Sequence, residues 1–396
     1  MLQQPELLAP AGSLETLKYA VMYGADAVYC ALPEFGMRAA PVNLTVGELH
    51  EGCIFAHARG KKVYLTLNTL PTNEELSKLP RYIQDAAEAG VDAFIIADLG
   101  VLALAKKYAP QVERHVSTQA GITNYEAAKV CYELGAKRVV LARELSLEEI
   151  AGIRAKTPAD LELEAFVHGA MCMSYSGRCF LSAYLTGRDA NQGDCAQPCR
   201  WQYALMEQTR PGQYFPVEQD ERGTYFLSSY DLCMIQHLDD LQKAGVRSLK
   251  IEGRMKSPYY VATVTHAYRQ ALDGAAPLSE LQRELDCVSH RAFSTGFYYG
   301  PMDTRQTAEE YLQSCQFTAV VLGRAEDRLL IEQRNKFSVG DTLEVVSPQY
   351  AKASFRVEAL WDESGRPVES APHAKQRLQL RCPYPLAALD ILRRRL

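Results

Sequence analysis

Four of the chain's eleven cysteines lie close together, with the spacing Cys172-x6-Cys179-x15-Cys195-x3-Cys199. Cysteine otherwise scatters through folded proteins as a small apolar residue, and reduced thiols that cluster commonly bind metal. The x6 interval is longer than the cysteine pairs of small zinc sites, whereas the ligand spacings of iron–sulfur clusters vary more widely. The spacing therefore modestly favours an iron–sulfur cluster over zinc and leaves both open.

A cysteine nucleophile is another interpretation of the same segment. His168 lies four residues before Cys172, and a thiol nucleophile needs a positioned base. Four clustered thiols are unnecessary for that chemistry, and the sequence contains neither an HExxH nor a GxSxG motif. Cys233 is a possible fifth ligand, but it begins a helical pattern that favours packing.

The composition indicates a cytoplasmic globular protein. Hydrophobic residues make up 47% of the chain, and no run is apolar enough to span a bilayer. The opening MLQQPELLAPAGSLETL lacks the regions of a signal peptide, so we expect reduced thiols and no membrane partner. The formal net charge of −5 excludes a protein that coats phosphate indiscriminately. A local basic stretch such as 246–256, which ends at Lys256, could still hold a folded RNA.

An alternation of strands and helices must position these residues. Eight β-rich runs in the first 270 residues alternate with amphipathic segments, several of which begin at Ser, Thr or Asn and end at Gly. This pattern predicts parallel βαβ units closed into a (β/α)8 TIM-like barrel. An open doubly wound sheet is the alternative, weakened because no GxGxxG follows the first strand. The predicted strands are 6–11, 26–32, 62–68, 93–98, 114–119, 138–143, 161–168 and 248–253.

The active site of such a barrel lies where its strands end. The cysteine segment directly follows the strand that ends at His168, so we expect the cysteines at that face. The stretch 180–225 is rich in Gly, Gln and Asp and is predicted to cover the barrel mouth. The polar residues at the predicted strand ends are Asn68, Asp98, Gln119, Arg143, Glu144, His168, Glu252 and Arg254.

The pattern changes after about residue 310. Short strands separated by turn signals predict a small C-terminal antiparallel β-barrel. We therefore divide the chain into a TIM-like barrel at 1–310, with a cysteine-cluster segment at 168–233, and a small β-barrel domain at 311–396. The small domain is expected either to help bind RNA or to serve as a structural cap.

The stretch FVHGAMCMSYSGRCFLSAYLTGRDANQGDCAQPCRW resembles the signature of the U32 family, historically called collagenase-like peptidases. Three further stretches resemble other blocks of that family: ELLAPAGSLETLKYAVMYGADAVYCA, LKIEGRMKSPYYVATVTHAYRQAL and NKFSVGDTLEVVSP. The resemblance spans nearly the whole chain. The Cys195-x3-Cys199-Arg-Trp pattern is similar to the branch that hydroxylates tRNA.

This resemblance implies a [4Fe–4S] cluster on the four clustered cysteines. It also implies O2-independent hydroxylation of the tRNA wobble uridine to 5-hydroxyuridine, with the anticodon loop as partner. Prephenate would be the small-molecule co-substrate that supplies the hydroxyl group, and the electron donor is not specified. Ribosomal RNA or quinone-precursor hydroxylation, peptidase activity and a scaffold without turnover stay open as alternatives. The chain departs from the branch in a short connection after Trp201 and in the extra thiol of Cys233.

The same resemblance suggests roles for the polar residues. Prephenate is a dicarboxylate, and the forked donors of Arg143, Arg178 and Arg254 match carboxylates. His168 could transfer protons near neutral pH. Glu252 and Asp98 could orient the base or hold those arginines. Tyr175 or Trp201 could stack on an extruded base, although ordinary packing and barrel salt bridges are alternatives. The predicted catalytic residues are His168, Arg178, Glu252 and Arg254, and the predicted substrate-binding residues are Asp98, Gln119, Arg143, Tyr175 and Lys256.

Overall fold

A computed structural model of the chain describes residues 4–36, 43–172, 176–179, 181–201, 218–220, 223–225, 230–300, 311–350 and 353–396. Contacts divide it into two compact units. The first contains Met1–Val21, Ala25–Lys256 and His290–Tyr311, and the second contains Met22–Gly24, Ser257–Ser289 and Leu312–Leu396.

The first unit is built on a closed parallel barrel. Strands β1 to β7 follow one another around the barrel, and β11 closes it by pairing in parallel with both β7 and β1. All eight predicted strands are present, so the TIM-like fold is confirmed. The strands of this unit are β1 (Glu6–Pro10), β2 (Ala27–Cys30), β3 (Lys62–Leu67), β4 (Ala93–Ile96), β5 (Glu113–Val116), β6 (Arg138–Val140), β7 (Glu162–Ala170), β8 (Glu218–Asp220), β9 (Gly223–Tyr225), β10 (Asp231–Cys233), β11 (Ser248–Ile251) and β12 (Phe293–Ser294).

Local side-chain chemistry determines where several helices begin. Thr45 and Ser146 each form a capping box, in which a hydroxyl accepts a backbone N–H and a Glu three residues later accepts the cap N–H. In the part of the chain that the structure describes, every helix is too short or too polar to cross a bilayer. The helices are α1 (Leu14–Met22), α2 (Val46–His57), α3 (Leu79–Glu88), α4 (Leu99–Tyr108), α5 (Tyr125–Glu133), α6 (Leu147–Lys156), α7 (Leu181–Thr186), α8 (Leu238–Lys243), α9 (Pro258–Asp273) and α10 (Leu278–Leu285).

The barrel interior changes from charged to apolar along its axis. At the N-terminal ends of the strands, the buried Arg138 guanidinium lies 2.6 Å from Glu6 Oε1 and 3.0 Å from Glu164 Oε2. Tyr29 and Tyr64 form part of the apolar layer. Because removing one member of a buried ion pair leaves the other unpaired, these charges tie three strands, β1, β6 and β7, together.

Cys233 lies in a strand rather than at the start of a helix, which corrects the sequence interpretation. It belongs to β10, which pairs antiparallel with the end of β7 and places Cys233 opposite His168. A buried ion pair of 2.8 Å between Asp231 and Arg291 holds the strand in place. Periodicity along one chain segment cannot reveal such pairing between distant strands.

The second unit contains an antiparallel sheet of eight strands, in the order β17-β16-β22-β13-β14-β21-β18-β19. The predicted small antiparallel β domain is therefore present. Its core includes Leu329, Ile331, Leu343, Leu378 and Leu380. Its strands are β13 (Cys315–Ala325), β14 (Arg328–Gln333), β15 (Phe337–Ser338), β16 (Thr342–Val346), β17 (Ser354–Arg356), β18 (Leu360–Asp362), β19 (Pro367–Val368), β20 (Ser370–Ala371), β21 (Arg377–Arg381) and β22 (Ile391–Arg395).

Helices α9 and α10 belong to this second unit. The Tyr259 ring stacks on Phe317, and buried Arg393 forms a 2.7 Å ion pair with Glu284. The observed grouping therefore differs from the sequence-based division at residue 310, because these contacts join the helices to strands β13 and β22.

Candidate active site

A cavity of about 140 Å³ lies at the C-terminal ends of the barrel strands. Six of the eight predicted strand-end residues line it: Asn68, Gln119, Arg143, Glu144, Glu252 and Arg254. All four clustered cysteines line the same cavity: Cys172, Cys179, Cys195 and Cys199. The structure thus brings the predicted thiols together with polar groups from β3, β5, β6 and β11.

The first half of the cysteine segment is held by backbone and carboxylate contacts. Gly177 has φ +73°, and a Cβ on it would lie only 1.9 Å from the carbonyl oxygen of Gln119. Next to it, the Ser176 N–H donates to Glu144 Oε1 at 2.9 Å. Only glycine combines that backbone conformation with so close an approach. These contacts fix the stretch just before Cys179 over the ends of β5 and β6.

The second half of the segment is joined to the first by hydrogen bonds. Asn191 Nδ2 donates to the carbonyl oxygen of Cys179 at 3.2 Å, and the Ala196 N–H donates to Ser182 Oγ at 3.0 Å. The Gln197 N–H donates to Cys195 Sγ at 3.4 Å. These hydrogen bonds hold the second half of the segment, including Cys195, against the first.

The exposure of the thiols separates these four cysteines from the other seven. Cys172 is exposed and the other three are half-buried, whereas the remaining seven are buried. Within the ranges described above, no three His, Cys, Asp or Glu side chains converge closely enough to hold a single metal ion. The four thiols supply the number of donors that either a [4Fe–4S] cluster or a tetrahedral zinc site requires.

Two arginines bring positive charge to the cavity. Arg254 is buried, and its Nη1 donates to Thr66 Oγ1 at 3.1 Å. Arg143 Nη2 lies 3.2 Å from Glu252 Oε2, and its guanidinium carbon lies 3.8 Å from the centre of the Phe166 ring. Ion pairing and stacking fix the plane of the Arg143 guanidinium, so both arginines present oriented donors.

Lys250 is a further cavity residue, which the sequence analysis missed. Its Nζ lies 2.9 Å from buried Glu164 Oε1 and 4.5 Å from the centre of the Tyr29 ring. Burial alone would raise the pKa of Glu164, but Lys250 and then Arg138 outweigh it and lower that pKa to about 2. The available signal was a charged residue within the apolar strand SLKIEG, because such a side chain must find a buried partner.

The model of peptidase family U32 matches residues 12–308, and that of the U32 C-terminal domain matches residues 313–393. The chain belongs to peptidase family U32. It is 39% identical to tRNA hydroxylation protein P1 of Bacillus subtilis, across 99% of this chain and 95% of that protein. It is 38% identical to tRNA hydroxylation protein P of Escherichia coli, across 93% and 92%. It is 42% identical to the 23S rRNA 5-hydroxycytidine C2501 synthase of E. coli, across 68% and 39%.

In this U32 chain His168 is not among the residues that line the cavity. Strand β7 has a bulge against β11, where Lys250 pairs with Phe166 but Ile251 pairs with His168. The bulge interrupts the alternation that would place His168 on the same face as Phe166. Burial lowers the pKa of His168 to about 3, so the ring is neutral near pH 7. This placement does not favour the predicted proton transfer.

Three other predicted residues that the structure describes also lie outside the cavity lining. Asp98 caps helix α4, since its Oδ1 accepts the Val101 N–H at 2.9 Å. Arg178 is exposed, and Lys256 Nζ lies 5.9 Å from the centre of the Tyr311 ring. Tyr175 falls outside the described residues. Of the nine residues predicted as catalytic or substrate-binding, Gln119, Arg143, Glu252 and Arg254 meet at the cavity.

Proposed function

We propose that this U32 chain hydroxylates tRNA, converting the wobble uridine of the anticodon loop to 5-hydroxyuridine. The observation that carries the proposal is the meeting of four accessible cysteines and two oriented arginines in one cavity at the barrel mouth. Two relatives named as tRNA hydroxylation proteins match nearly the full length of both chains. The ribosomal RNA enzyme matches over only 39% of its own length, which favours tRNA over ribosomal RNA.

In this proposal the cysteines hold a [4Fe–4S] cluster: Cys172, Cys179, Cys195 and Cys199. When bound, such a cluster supplies one-electron redox chemistry or a Lewis-acidic iron. The chain's own contribution is to fix the thiols before binding. The contact of Gly177 with Gln119 and the hydrogen bond from Ser176 to Glu144 anchor one half of the segment.

The proposed co-substrate is prephenate, which supplies the hydroxyl group in place of O2. Its two carboxylates require cations, and the cavity offers Arg254, Arg143 and Lys250. Arg254 is the strongest candidate, because it is buried in the cavity lining and its hydrogen bond to Thr66 orients the guanidinium. Lys250 instead pairs with Glu164 and contributes mainly to the electrostatic potential of the cavity floor.

The geometry does not favour a cysteine peptidase. That mechanism needs a base beside the thiol, and His168 is the histidine nearest in sequence to Cys172. His168 is buried, is absent from the cavity lining and has a pKa of about 3.

The decisive experiment combines metal analysis with tRNA nucleoside analysis. Iron and sulfide are measured on anaerobically purified protein, for the wild type and Cys195→Ser. The gene is then deleted from the cell. 5-Hydroxyuridine derivatives in tRNA are quantified in the deletion strain alone and in the same strain carrying either the wild-type or the Cys195→Ser gene. We expect about four iron per chain and restored 5-hydroxyuridine for the wild type only. Stoichiometric zinc, or tRNA nucleosides unchanged by the deletion, would contradict the proposal.

A further inference from the structure

One face of the C-terminal sheet carries a row of polar side chains. Strands β14, β21 and β18 are neighbours. Apolar residues alternate with polar ones in β21, and the less buried face of β14 carries Arg328, Leu330 and Glu332. Leu378 and Leu380 of β21 are buried in the core. The intervening Arg377, Gln379 and Arg381 therefore lie on the opposite, outward face, where both arginines are exposed.

An aromatic ring lies within this outward face. Trp361 of β18 pairs in register with Gln379 of β21. The guanidinium carbon of Arg328, from β14, lies 3.8 Å from the centre of the Trp361 ring, and its Nη1 donates to Gln379 Oε1 at 3.2 Å. Arg328, stacked on the indole and hydrogen-bonded to the amide, thus joins the three side chains into one contiguous platform.

The charge around the platform favours an anionic partner. A surface groove beside it carries Arg366, Lys375 and Arg377, together with acidic Asp362 and Glu363. Asp327 pairs with Arg381 at 3.2 Å, but both side chains are more than half exposed. Such exposed ion pairs are weak and can exchange for phosphate. Residues 312–396 contain 13 Lys and Arg against 10 Asp and Glu, although the whole chain has a net charge of −5.

We propose that this platform face is an RNA-binding surface. We define the platform face as Arg328, Trp361, Arg377, Gln379 and Arg381. Exposed arginines bind phosphates, an aromatic ring stacks an unpaired base, and an amide can hydrogen-bond to a base edge. The partner is therefore an RNA with unpaired bases. Its identification as tRNA rests on the proposed function.

The test measures binding of the full-length protein to an unmodified tRNA transcript by fluorescence anisotropy, over a series of salt concentrations. The double variant Arg377→Ala/Arg381→Ala should weaken binding at least tenfold and lower the slope of log K against log salt by about 1.5. Trp361→Ala should weaken binding about tenfold with little change in that slope, and Trp361→Phe should retain most of the affinity. Arg356→Ala is the matched control, because Arg356 is an exposed arginine on β17 of the same sheet, outside the platform face.

Affinities of the platform variants within twofold of wild type would overturn the inference, as would a wild type that does not bind tRNA. If Arg356→Ala weakened binding as much as the platform variants, the binding would be general electrostatic attraction and the inference would also fall. If the platform variants kept wild-type affinity for tRNA but lost binding to a protein partner, the face would be a protein-binding surface. That result would overturn the RNA assignment. The proposed function is judged separately, by 5-hydroxyuridine formation in cells. If no 5-hydroxyuridine forms, the measured tRNA binding by the platform face still stands. If the platform variants bind tRNA normally, the hydroxylation result still stands.

Discussion

Gly177 lies against the backbone of Gln119, so closely that a Cβ on the glycine would be 1.9 Å from the Gln119 carbonyl oxygen. Gln119 lies in the turn of 3₁₀ helix at Thr118–Ala120, just after barrel strand β5. Gly177 lies between two of the clustered cysteines in the sequence. The contact therefore sets the distance between the cysteine segment and the C-terminal end of β5. The position of the thiols therefore depends on the absence of one methyl group.

Gly177→Ala should displace the cysteine segment without unfolding the barrel. We expect most of the iron and the tRNA hydroxylation to be lost, while the circular dichroism spectrum is unchanged. The measurement is iron content per chain after anaerobic purification. Gly187→Ala is the matched control, because Gly187 has φ +71° but nothing within 4 Å of its added Cβ. Equal iron loss in both variants would indicate backbone strain rather than the Gln119 contact.

Cys233→Ser should retain the proposed [4Fe–4S] cluster. Cys233 is buried in β10 opposite His168 and does not line the cavity, so it is not placed to replace any of the four proposed ligands. We expect iron content and the visible absorption spectrum to match the wild type, with destabilisation of about 1 kcal/mol from the altered packing. Cys179→Ser, measured in parallel, should lose iron. Iron loss in Cys233→Ser at unchanged thermal stability would make Cys233 a ligand.

Glu164→Gln should change how the stability of the protein depends on pH. The pKa of Glu164 is about 2 in the folded protein and near 4.5 when unfolded. The unfolded chain therefore binds the proton first as the pH falls, and stability is lost between about pH 4.5 and 2. The glutamate should contribute about 3 kcal/mol above that range.

The check on Glu164 is urea unfolding of the wild type and the variant between pH 2 and 7. The difference in free energy of unfolding should shrink as the pH falls below 4.5. Glu162→Gln serves as the control, because Glu162 also pairs with Arg138, at 2.7 Å, but is 36% exposed. A constant difference across the pH range would mean that Glu164 acts through packing rather than through its charge.

The sequence alone was sufficient to predict the barrel, because strands and helix caps are encoded by residues that lie close together in the chain. Strand periodicity and caps such as Ser146 with Glu149 lie within a few residues of each other, and all eight strands were predicted. The roles of individual side chains depend on pairing between strands. The bulge of β7 against β11 turns His168 away from the face of Phe166, and Lys250 enters the cavity with a partner on another strand. Neither relationship can be read from one segment.

Arg254 and Arg178 were predicted for the same role, and the structure separates them. Arg254 is buried in the cavity and bonds to Thr66, whereas Arg178 is exposed and outside the lining. Arg254→Met should lower kcat/KM for prephenate about 100-fold, because a charge-assisted hydrogen bond to a carboxylate inside a cavity contributes about 3 kcal/mol. Arg178→Met should stay within about twofold of wild type. Steady-state hydroxylation of tRNA at varied prephenate gives both values, and iron content shows whether each variant keeps its cluster. If Arg178→Met caused the larger loss with iron retained, the carboxylate site would lie outside this cavity.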